Sequence, residues 1–429
     1  LQGKFIYPSF IDIYSDYGMP KISPEEDQRG PQFLSNKSGA YNWNQAVHPE
    51  VQAGELFDVM SEKAKELREI GFGTVASHQQ DGIIRGTGTV VLLGDEQSNE
   101  MIVKEQAAAY YSFNKGTSTQ DYPSSLMGSI ALLRQSYYDA QWYKADKGVA
   151  ETNISLDALN KSMQLPQVFE VSDVFSAMRA DKIGDEFNIR YIVKGAGDEY
   201  QRIDEVKSTG NAFIIPLNFP LAYDVEDPFD AQQIPLAAML HWEMAPGNPG
   251  TLEKAGVPFA ITTASLKSNN DFMKQLRKAI EYGMSTTAAL KALTLTPATL
   301  MNVQDQVGSL AKGKVANFII CSDSVFKEKS IIYQNWVNGV QYVVNSFDLK
   351  DIRGNYNLTV GAISNLSLKV EGSATAPSAT VHAANNEKLK ASLTTADDLV
   401  TISFRYPADS SREMYRLSGY LAEKNLAGN

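Results

Sequence analysis

The residue types that most often carry enzyme chemistry are scarce in this sequence. The 429 residues include one cysteine, Cys321, and four histidines: His48, His78, His241 and His382. A zinc site usually needs three or four ligands drawn from histidine, cysteine, aspartate and glutamate, so this count limits the metal chemistry available. Cys321 ends the apolar run 318–321, which favours a buried structural thiol over a nucleophile. The sequence has no serine-nucleophile elbow and no phosphate-binding loop, and its glycine pairs at 86–88 and 195–197 are typical of turns.

Composition and charge exclude further classes of function. Hydrophobic residues make up 43% and charged residues 21%, as in ordinary globular proteins. The 39 basic and 50 acidic side chains give a net charge of -11 without a dense block of lysine or arginine. Such a chain is a poor ligand for nucleic acid or for an anionic membrane surface. Because no apolar run reaches about 18 residues, no transmembrane helix is predicted.

The elements that must position any site follow a repeating pattern. Residues 4–13 predict one buried strand, and 52–70 predict one helix with an apolar stripe. Short apolar strands then alternate with amphipathic helices, which favours parallel strands joined by crossovers; the strands are at 168–171, 189–193, 212–217 and 259–263. The proline-containing segment 218–257 is expected to hold one more helix. From about residue 355 apolar and polar residues alternate without a helix, which predicts an all-β region.

Five segments resemble, in this order, the amidohydrolase superfamily in its imidazolonepropionase-like branch. They are 7–18, 256–264, 288–298, 307–318 and 336–339. The first is similar to the strand Pro-Gly-(Leu/Phe)-Ile-Asp-x-His-x-His of that family. The third and fourth resemble its Ala-Leu-x-x-x-Thr-x-x-Pro-Ala helix and its Gly-x-Leu-x-x-Gly-Lys turn, and they are specific in combination. The resemblance implies an α/β fold, a distorted TIM (β/α)8 barrel with a small β-sandwich, followed here by an extra all-β region.

The resemblance also suggests how the chain is organised. We expect a barrel domain at 4–305, part of a composite β-sandwich at 306–354, and an all-β tail, or the start of a linker to a further domain, at 355–429. In the family, residues before the first barrel strand complete the sandwich. Because the sequence begins at Leu1, we interpret it as a fragment or processed product that lacks those residues. With the family, this suggests export or a periplasmic location, with the signal peptide outside the fragment.

At the positions that match the metal ligands of the family, this sequence has other residues. Its members bind one or two divalent metals, zinc or another, at the carboxyl ends of the barrel strands, and the metal activates water. The two histidines of the first strand face one side because they alternate, and here Tyr14 and Asp16 stand at their positions. Lys194 stands where histidine precedes glycine, and Ala264 where the last strand carries aspartate. The resemblance therefore implies no metal cofactor, and we expect Lys194 and Asp16 to form an ion pair in its place.

Further pocket candidates have alternative interpretations. His78 either lines the pocket mouth or is a solvated loop residue, and the loop is favoured. Glu170 and Asp173 flank a strand; either could replace a ligand, but we favour one being exposed and the other capping the next helix. Thr263 ends the last strand of the pattern. Eight aromatic residues are expected on exposed insertions, where they form a ligand or partner surface unless they pack between helices: Tyr41, Trp43, Tyr110, Tyr111, Tyr137, Tyr138, Trp142 and Tyr143.

Two functions are compatible with these observations. One is a catalytically silent amidohydrolase-like domain that serves as the structural or interaction half of a larger amidohydrolase protein. Its partner would be a second, intact amidohydrolase domain or another copy of the chain in a homo-oligomer. The other is an active hydrolase of non-peptide C–N bonds, amide or cyclic amide, with an atypical metal site or none. Loss of nearly every ligand favours the first.

Overall fold

A computed structural model describes residues 1–22, 35, 37–145, 151–347, 349, 351–360, 363–372, 374, 377–383, 387–396, 399–406, 413–422 and 425–428. The chain divides into two compact units. The first comprises 1–320, 326–328 and 334–342, and the second comprises 321–325, 329–333 and 343–429. The domain bounds expected from the sequence, at 305 and 354, stay predictions.

The described residues form strands and helices throughout. The strands are β1 (Phe5–Pro8), β2 (Phe10–Ser15), β3 (Phe72–Ser77), β4 (Ile84–Leu92), β5 (Ile102–Ser112), β6 (Gln167–Glu170), β7 (Tyr191–Lys194), β8 (Ala212–Pro216), β9 (Phe259–Thr262), β10 (Phe318–Cys321), β11 (Ile332–Val337), β12 (Val340–Val343), β13 (Gly354–Val360), β14 (Ile363–Gly372), β15 (Pro377–His382), β16 (Lys388–Ala396), β17 (Leu399–Tyr406), β18 (Glu413–Ala422) and β19 (Asn425–Gly428). The α-helices are α1 (Ala53–Leu56), α2 (Ser61–Glu69), α3 (Ser98–Met101), α4 (Leu126–Ala145), α5 (Ile154–Ser162), α6 (Val174–Phe187), α7 (Ile203–Thr209), α8 (Pro228–Gln233), α9 (Leu236–Met244), α10 (Asn248–Ala255), α11 (Phe272–Glu281), α12 (Thr286–Leu293) and α13 (Leu295–Leu300).

The main sheet of the first unit has eight strands, β2 to β9, in chain order. Neighbouring strands run parallel except at β4, which is antiparallel to both β3 and β5. A TIM barrel has eight parallel strands, so β4 departs from that expectation. Antiparallel neighbours need no helical crossover, and only the short segment 78–83 joins β3 to β4. The reversal brings the start of β4 to the edge where its parallel neighbours end.

Hydrogen bonds connect the first and last strands of this sheet. Thr262 Oγ1 donates to the carbonyl of Tyr14 at 3.2 Å. The backbone amide and hydroxyl of Thr263 donate to Asp12 Oδ2 at 2.7 and 2.8 Å. Asp12 is fully buried, so these bonds satisfy a carboxylate that water does not reach. The carboxyl ends of β2 and β9 are therefore held together.

The segment predicted as one N-terminal strand forms two. β1 lies in a four-stranded sheet of order β1-β10-β11-β12, whereas β2 begins the eight-stranded sheet. Between them, Ser9 donates from Oγ to Asn335 Oδ1 at 2.7 Å. Pro8 cannot donate a ladder hydrogen bond, which suits the end of β1. The small sheet therefore takes one strand, β1, from the residues before β2, and the expectation that further residues of this kind are missing stays a prediction.

Two helical predictions need correction. Residues 52–70 form two helices, α1 and α2, instead of one. The segment 218–257 contains α8, α9 and α10 instead of a single helix. Pro228 and Pro249 lie in the first turns of α8 and α10, where a missing N–H costs nothing, so prolines start these helices instead of excluding them. None of the helices in the described ranges combines the length and apolar character needed to span a bilayer.

The second unit confirms the predicted all-β region. Strands β13 to β19 form one sheet in chain order, each antiparallel to the next. Alternate residues are buried, as in a sheet with one apolar face. Leu368, Val381, Ile402 and Phe404 belong to the core of this unit. Parts of the predicted region, such as 407–412, lie outside the described residues.

Candidate functional site

Four side chains form a buried polar cluster at the carboxyl edge of the eight-stranded sheet. Arg85 donates to the Tyr14 hydroxyl at 2.9 Å and to Glu170 Oε2 at 2.8 Å. Lys194 Nζ lies 3.7 Å from the other oxygen of Glu170 and 5.4 Å from the centre of the Tyr14 ring. The side chains of Arg85, Lys194 and Glu170 are 4%, 7% and 28% exposed. The cluster therefore joins β2, β4, β6 and β7.

Strand register explains two members of the cluster. Glu170 and Lys194 are the last residues of β6 and β7, and they are direct partners in the parallel ladder. Their side chains consequently leave the sheet side by side, which favours a cross-strand ion pair. Arg85 is the second residue of β4, and the antiparallel direction of β4 brings it to the same edge. Sequence reasoning missed Arg85, although a lone arginine after Ile83 and Ile84 is a signal for a buried charge.

The charges within the cluster do not balance. Burial alone raises the pKa of Glu170, but the charges of Arg85 and Lys194 outweigh it and hold that pKa below its ordinary value. Burial lowers the pKa of Lys194, and the carboxylate of Glu170 opposes this effect. Burial raises the pKa of Tyr14, so its hydroxyl stays neutral. With both bases protonated, the two cations of the cluster share Glu170, and Glu199, a buried acid outside the cluster, also raises the pKa of Lys194.

Asp12 is a second buried carboxylate, and its oxygens are already bonded. One oxygen accepts from the backbone amide of Tyr14 at 3.0 Å, and the other accepts both bonds from Thr263. Burial raises the pKa of Asp12, and these hydrogen bonds oppose the rise. Asp12 therefore holds β2 to β9 and is not free to bind a ligand.

The structure contradicts the interpretation of His78 as a solvated loop residue. The ring is fully buried, stacks on Tyr110 at 3.6 Å and meets the Tyr14 ring edge-on at 4.7 Å. Neither ring nitrogen has a hydrogen-bond partner. Burial, supported by the charge of Arg85, lowers the pKa of His78 well below its ordinary value. Gly88 makes room for the stack, because a Cβ there would lie 2.4 Å from the Tyr110 ring.

The expected pair of Lys194 with Asp16 is wrong. Among the ion pairs of the described residues, the partner of Lys194 is Glu170, and Asp16 is exposed. Glu170 is therefore not the surface residue that the favoured interpretation made it. Asp173, however, caps α6 as predicted, accepting from the backbone amide of Ser176 at 2.7 Å.

A cavity of about 330 Å³ lies beside the cluster. Its lining residues come from the end of β2 and the residues after it, from α2, from the segment between β3 and β4, and from the loop after β9; they are Tyr14, Ser15, Asp16, Tyr17, Lys63, Glu66, Leu67, Gln80, Thr263, Ala264, Ser265, Leu266 and Asn269. Four of the residues singled out in the sequence thus meet here. His78 and Glu170 are not in the lining, and Lys194 approaches it through Ser265, with Nζ 3.5 Å from Oγ.

The residues at this edge do not fit the family's metal. The side chains present are the phenol of Tyr14, the exposed carboxylate of Asp16, the ammonium group of Lys194 and the methyl group of Ala264. In the described parts of the chain, no group of three or more histidine, cysteine, aspartate and glutamate residues is arranged to hold a metal ion. The nearby carboxylate of Glu170 is bound by Arg85, and both cations of the cluster repel a divalent ion.

Only part of the aromatic group could form a surface. Tyr110, Tyr111 and Tyr137 are fully buried in the first unit, contrary to the expectation. Tyr41, Trp43, Tyr138 and Trp142 are exposed. Cys321 is buried as predicted, and burial raises the pKa of its thiol to about 12.

Two of the family-like segments pack against each other. Thr294 lies in the first of them, 288–298, and its hydroxyl donates to Leu290 O at 2.6 Å. Gly308 opens the second with a φ of +87°, and a Cβ there would lie 2.8 Å from Thr294 O and 2.7 Å from the Cβ of Ala298. Only glycine permits this approach, so these motif residues serve packing.

Comparison with known proteins agrees with the fold. The amidohydrolase family matches residues 247–345. No curated protein matches the sequence. An amidohydrolase from Thermotoga maritima MSB8 is 20% identical, with a TM-score of 0.62 over 80% of this chain and 88% of that one. A Xaa-Pro dipeptidase with bound methionine (16%, TM-score 0.40, 80% and 88%) and molinate hydrolase (13%, 0.42, 80% and 84%) are more distant in structure.

At 20% identity the likeness to the Thermotoga protein shows a shared fold alone, because a fold does not determine an activity. The family match covers β9 to β12 and the helices between β9 and β10. The packed motifs at Thr294 and Gly308 lie within it. The chain is therefore similar to the amidohydrolase family over the segment 247–345 and shares the fold of the Thermotoga protein over most of its length.

Proposed function

We propose that this chain is an amidohydrolase-like domain that does not catalyse the metal-dependent hydrolysis of its superfamily. It acts as the structural or interaction half of a larger amidohydrolase protein, and its eight-stranded sheet is a closed barrel. The observation that carries the proposal is the ion-paired cluster of Arg85, Glu170 and Lys194 at the edge where the family holds its metal.

Electrostatics supports this proposal. A divalent metal acts by lowering the pKa of a bound water, which requires anionic or neutral donors around the ion. Here two basic side chains, Arg85 and Lys194, already lie against Glu170. Two unit charges about 4 Å apart repel by roughly 4 kcal/mol in a partly screened protein site. The cations of the cluster neutralise Glu170, but they supply no activated water.

Barrel closure is supported by the bonds between β2 and β9. Thr262 bonds to the backbone of β2, and Thr263 bonds to the buried Asp12. A sheet whose first and last strands meet in this way leaves no open edge at the carboxyl end. The scaffold thus keeps the family's architecture without its ligands.

Metal analysis of the purified chain tests the proposal. The protein is incubated with Zn²⁺, Mn²⁺ or Fe²⁺, desalted, and measured by inductively coupled plasma mass spectrometry beside the Glu170→Gln variant. We expect metal well below one ion per chain, with no difference between the two proteins. One ion per chain that is lost in Glu170→Gln would overturn the proposal. Turnover of amide or cyclic amide substrates by the chain would support the alternative, an active hydrolase with an atypical metal site or none.

A further inference from the structure

The segment between β8 and β9 exposes a continuous series of large apolar side chains, which we call the 221–244 surface. Nine such residues are exposed there: Leu221 (67%), Tyr223 (39%), Val225 (55%), Phe229 (75%), Leu236 (68%), Met239 (39%), Leu240 (49%), Trp242 (39%) and Met244 (48%). The structure describes every residue of α8 and α9, and none of them is buried. A helix as apolar as α9 is normally covered on all sides. We therefore expect another surface to cover it in the functional protein.

α9 is held to the first unit through a polar residue. His241 Nδ1 and the Tyr200 hydroxyl are in hydrogen-bond contact at 3.0 Å, and the two rings stack with their centroids 6.0 Å apart. His241 is half-buried, whereas Leu236, Leu240 and Met244 are exposed. A helix that packs only on its own core has the opposite arrangement, with its apolar residues inward. The outward apolar residues of α9 are thus placed for a second contact.

The composition of the 221–244 surface favours a protein as its partner. Residues 217–253 contain no lysine or arginine, and Asp224, Glu226, Asp227 and Asp230 are exposed in or before α8. Helices that lie on membranes are instead rich in lysine and arginine on their polar face. Aromatic residues and methionine are enriched in protein interfaces, and they make up five of the nine exposed apolar residues.

The area of the 221–244 surface matches that of one side of a stable interface. A residue of this size presents roughly 150–200 Å² when fully exposed, so nine residues that are about half exposed present roughly 800 Å². The largest apolar patch of an ordinary monomer is about 300–600 Å². Each partner in a stable protein interface buries about 800 Å².

We propose that the 221–244 surface is a dimer interface, in which α9 packs antiparallel against α9 of a second copy of this chain. An apolar helix is complementary to itself, so a twofold pair covers both copies without another partner. The four acids precede α9, and antiparallel pairing carries those of the two copies to opposite ends of the pair. α9 has nine residues and is roughly 13 Å long. That length exceeds the screening distance of about 8 Å at physiological ionic strength, so the acids do not prevent association.

Glu243 supports the antiparallel direction. It is the only acid of α9 and lies in the last turn, where the partial negative charge of the helix end disfavours a carboxylate. In an antiparallel pair, the carboxyl end of each α9 meets the amino end of the other, whose partial positive charge favours a carboxylate. Pairing therefore relieves an unfavourable interaction that a single chain retains. The inference deepens the proposed function and rests on it in one respect, since it names the partner of an interaction domain.

Sedimentation equilibrium of the full chain over a range of concentrations tests the inference. We expect a reversible dimer with a dissociation constant of about 1 μM or tighter, as for other interfaces of this area. A chain that stays monomeric at about a hundred times that concentration would overturn the inference, and α9 would then belong to another kind of partner.

A matched pair of variants locates the interface. Leu236→Glu and Met127→Glu each place a carboxylate at an exposed apolar position in the first turn of a helix, α9 and α4 respectively. An acid in the first turn favours the helix, so we expect both variants to fold, as checked by circular dichroism. We expect Leu236→Glu to weaken dimerisation about tenfold or more, because the interface would bury an unpaired charge, and Met127→Glu to leave it within about twofold. Equal dissociation constants would place the interface elsewhere and overturn the inference.

Hydrogen–deuterium exchange locates the contact without a substitution. We expect the amides of 236–244 to exchange about fivefold more slowly, or less readily still, at concentrations well above the dissociation constant than well below it. The amides of α6 serve as the control and should show no such dependence. Exchange at 236–244 that is independent of concentration would overturn the inference.

The two proposals fail in different ways. A stoichiometric metal overturns the silent domain whatever the oligomeric state. A monomeric chain, or a dimer that Leu236→Glu does not weaken, overturns the dimer interface and leaves the metal result unaffected.

Discussion

The part of the chain from β2 to β7 and the segment 247–345 differ in how they retain the family pattern. The segment carries the family match, and its motif residues, such as Thr294 and Gly308, hold elements in close packing. The part from β2 to β7 is where the sequence resemblance places metal ligands, and it holds Tyr14 and Lys194 in the ion-paired cluster. The residues of the segment thus serve packing, whereas those from β2 to β7 form a polar cluster.

The changes from β2 to β7 depend on one another. Arg85 bonds to Tyr14 and Glu170 together, and Lys194 pairs with the remaining oxygen of Glu170. Each member therefore has its partner within the cluster. A change at one position leaves a buried charge or hydroxyl unsatisfied, which makes the cluster a structural unit. The segment 247–345 depends on shape instead, so substitutions there act mainly through packing.

Of the substitutions that test the difference between the cluster and the segment 247–345, Arg85→Met is expected to change stability most. Removing the guanidinium leaves Tyr14 without its donor and Glu170 with the single cation Lys194. We expect the free energy of unfolding to fall by about 2–4 kcal/mol, because one partner of a mostly buried ion pair is lost. Urea denaturation followed by circular dichroism measures the change.

The control for Arg85→Met is Arg134→Met, which removes the exposed arginine that bonds to Glu186. Its ion pair is solvated, so we expect no measurable loss of stability. Equal effects of the two substitutions would mean that the cluster from β2 to β7 is no more important than a surface pair.

The sequence predicted several strands of the eight-stranded sheet better than it predicted the residues of the candidate site. Strands β6, β7 and β8 were predictable because short, continuous apolar runs are typical of parallel strands buried on both faces. Arg85 was missed because local periodicity does not reveal the direction of a strand. His78 was placed in a loop because Gln79, Gln80 and Asp81 follow it, but its stacking partner Tyr110 lies on β5, which the sequence analysis did not predict. Glu170 replaced Asp16 as the partner of Lys194 because the register of β6 and β7 places it alongside.

His78→Phe tests how the buried ring between β2 and β7 makes the stability of the chain depend on pH. The pKa of the folded-state histidine is lowered, so below the ordinary value of about 6.5 the unfolded chain takes up a proton that the folded chain does not. Stability contributed by the neutral ring is therefore present above that pH and is lost as the pH falls, by up to about 1.4 kcal/mol per pH unit.

The phenylalanine variant lacks this loss and has no unsatisfied ring nitrogens. We expect its stability relative to the parent chain to rise by about 1 kcal/mol between pH 7.5 and 5.5, as measured by urea denaturation at each pH. A parent chain and variant with parallel pH profiles would mean that His78 binds a proton as readily when folded as when unfolded.

Tyr14→Phe has the smallest expected effect and removes one hydroxyl of the cluster, which interacts with both Arg85 and Glu170. The hydroxyl accepts from the charged Arg85 in a buried site, so its removal should cost about 1–2 kcal/mol. Tyr342→Phe is the matched control within the segment 247–345, because its hydroxyl accepts from the backbone amide of Asp95 at 3.0 Å in an exposed position. Water replaces that bond, so we expect a change below about 0.5 kcal/mol. A larger loss at Tyr342 than at Tyr14, measured by the same denaturation, would reverse the comparison, since hydrogen bonds would then contribute more to the family-like segment than to the cluster.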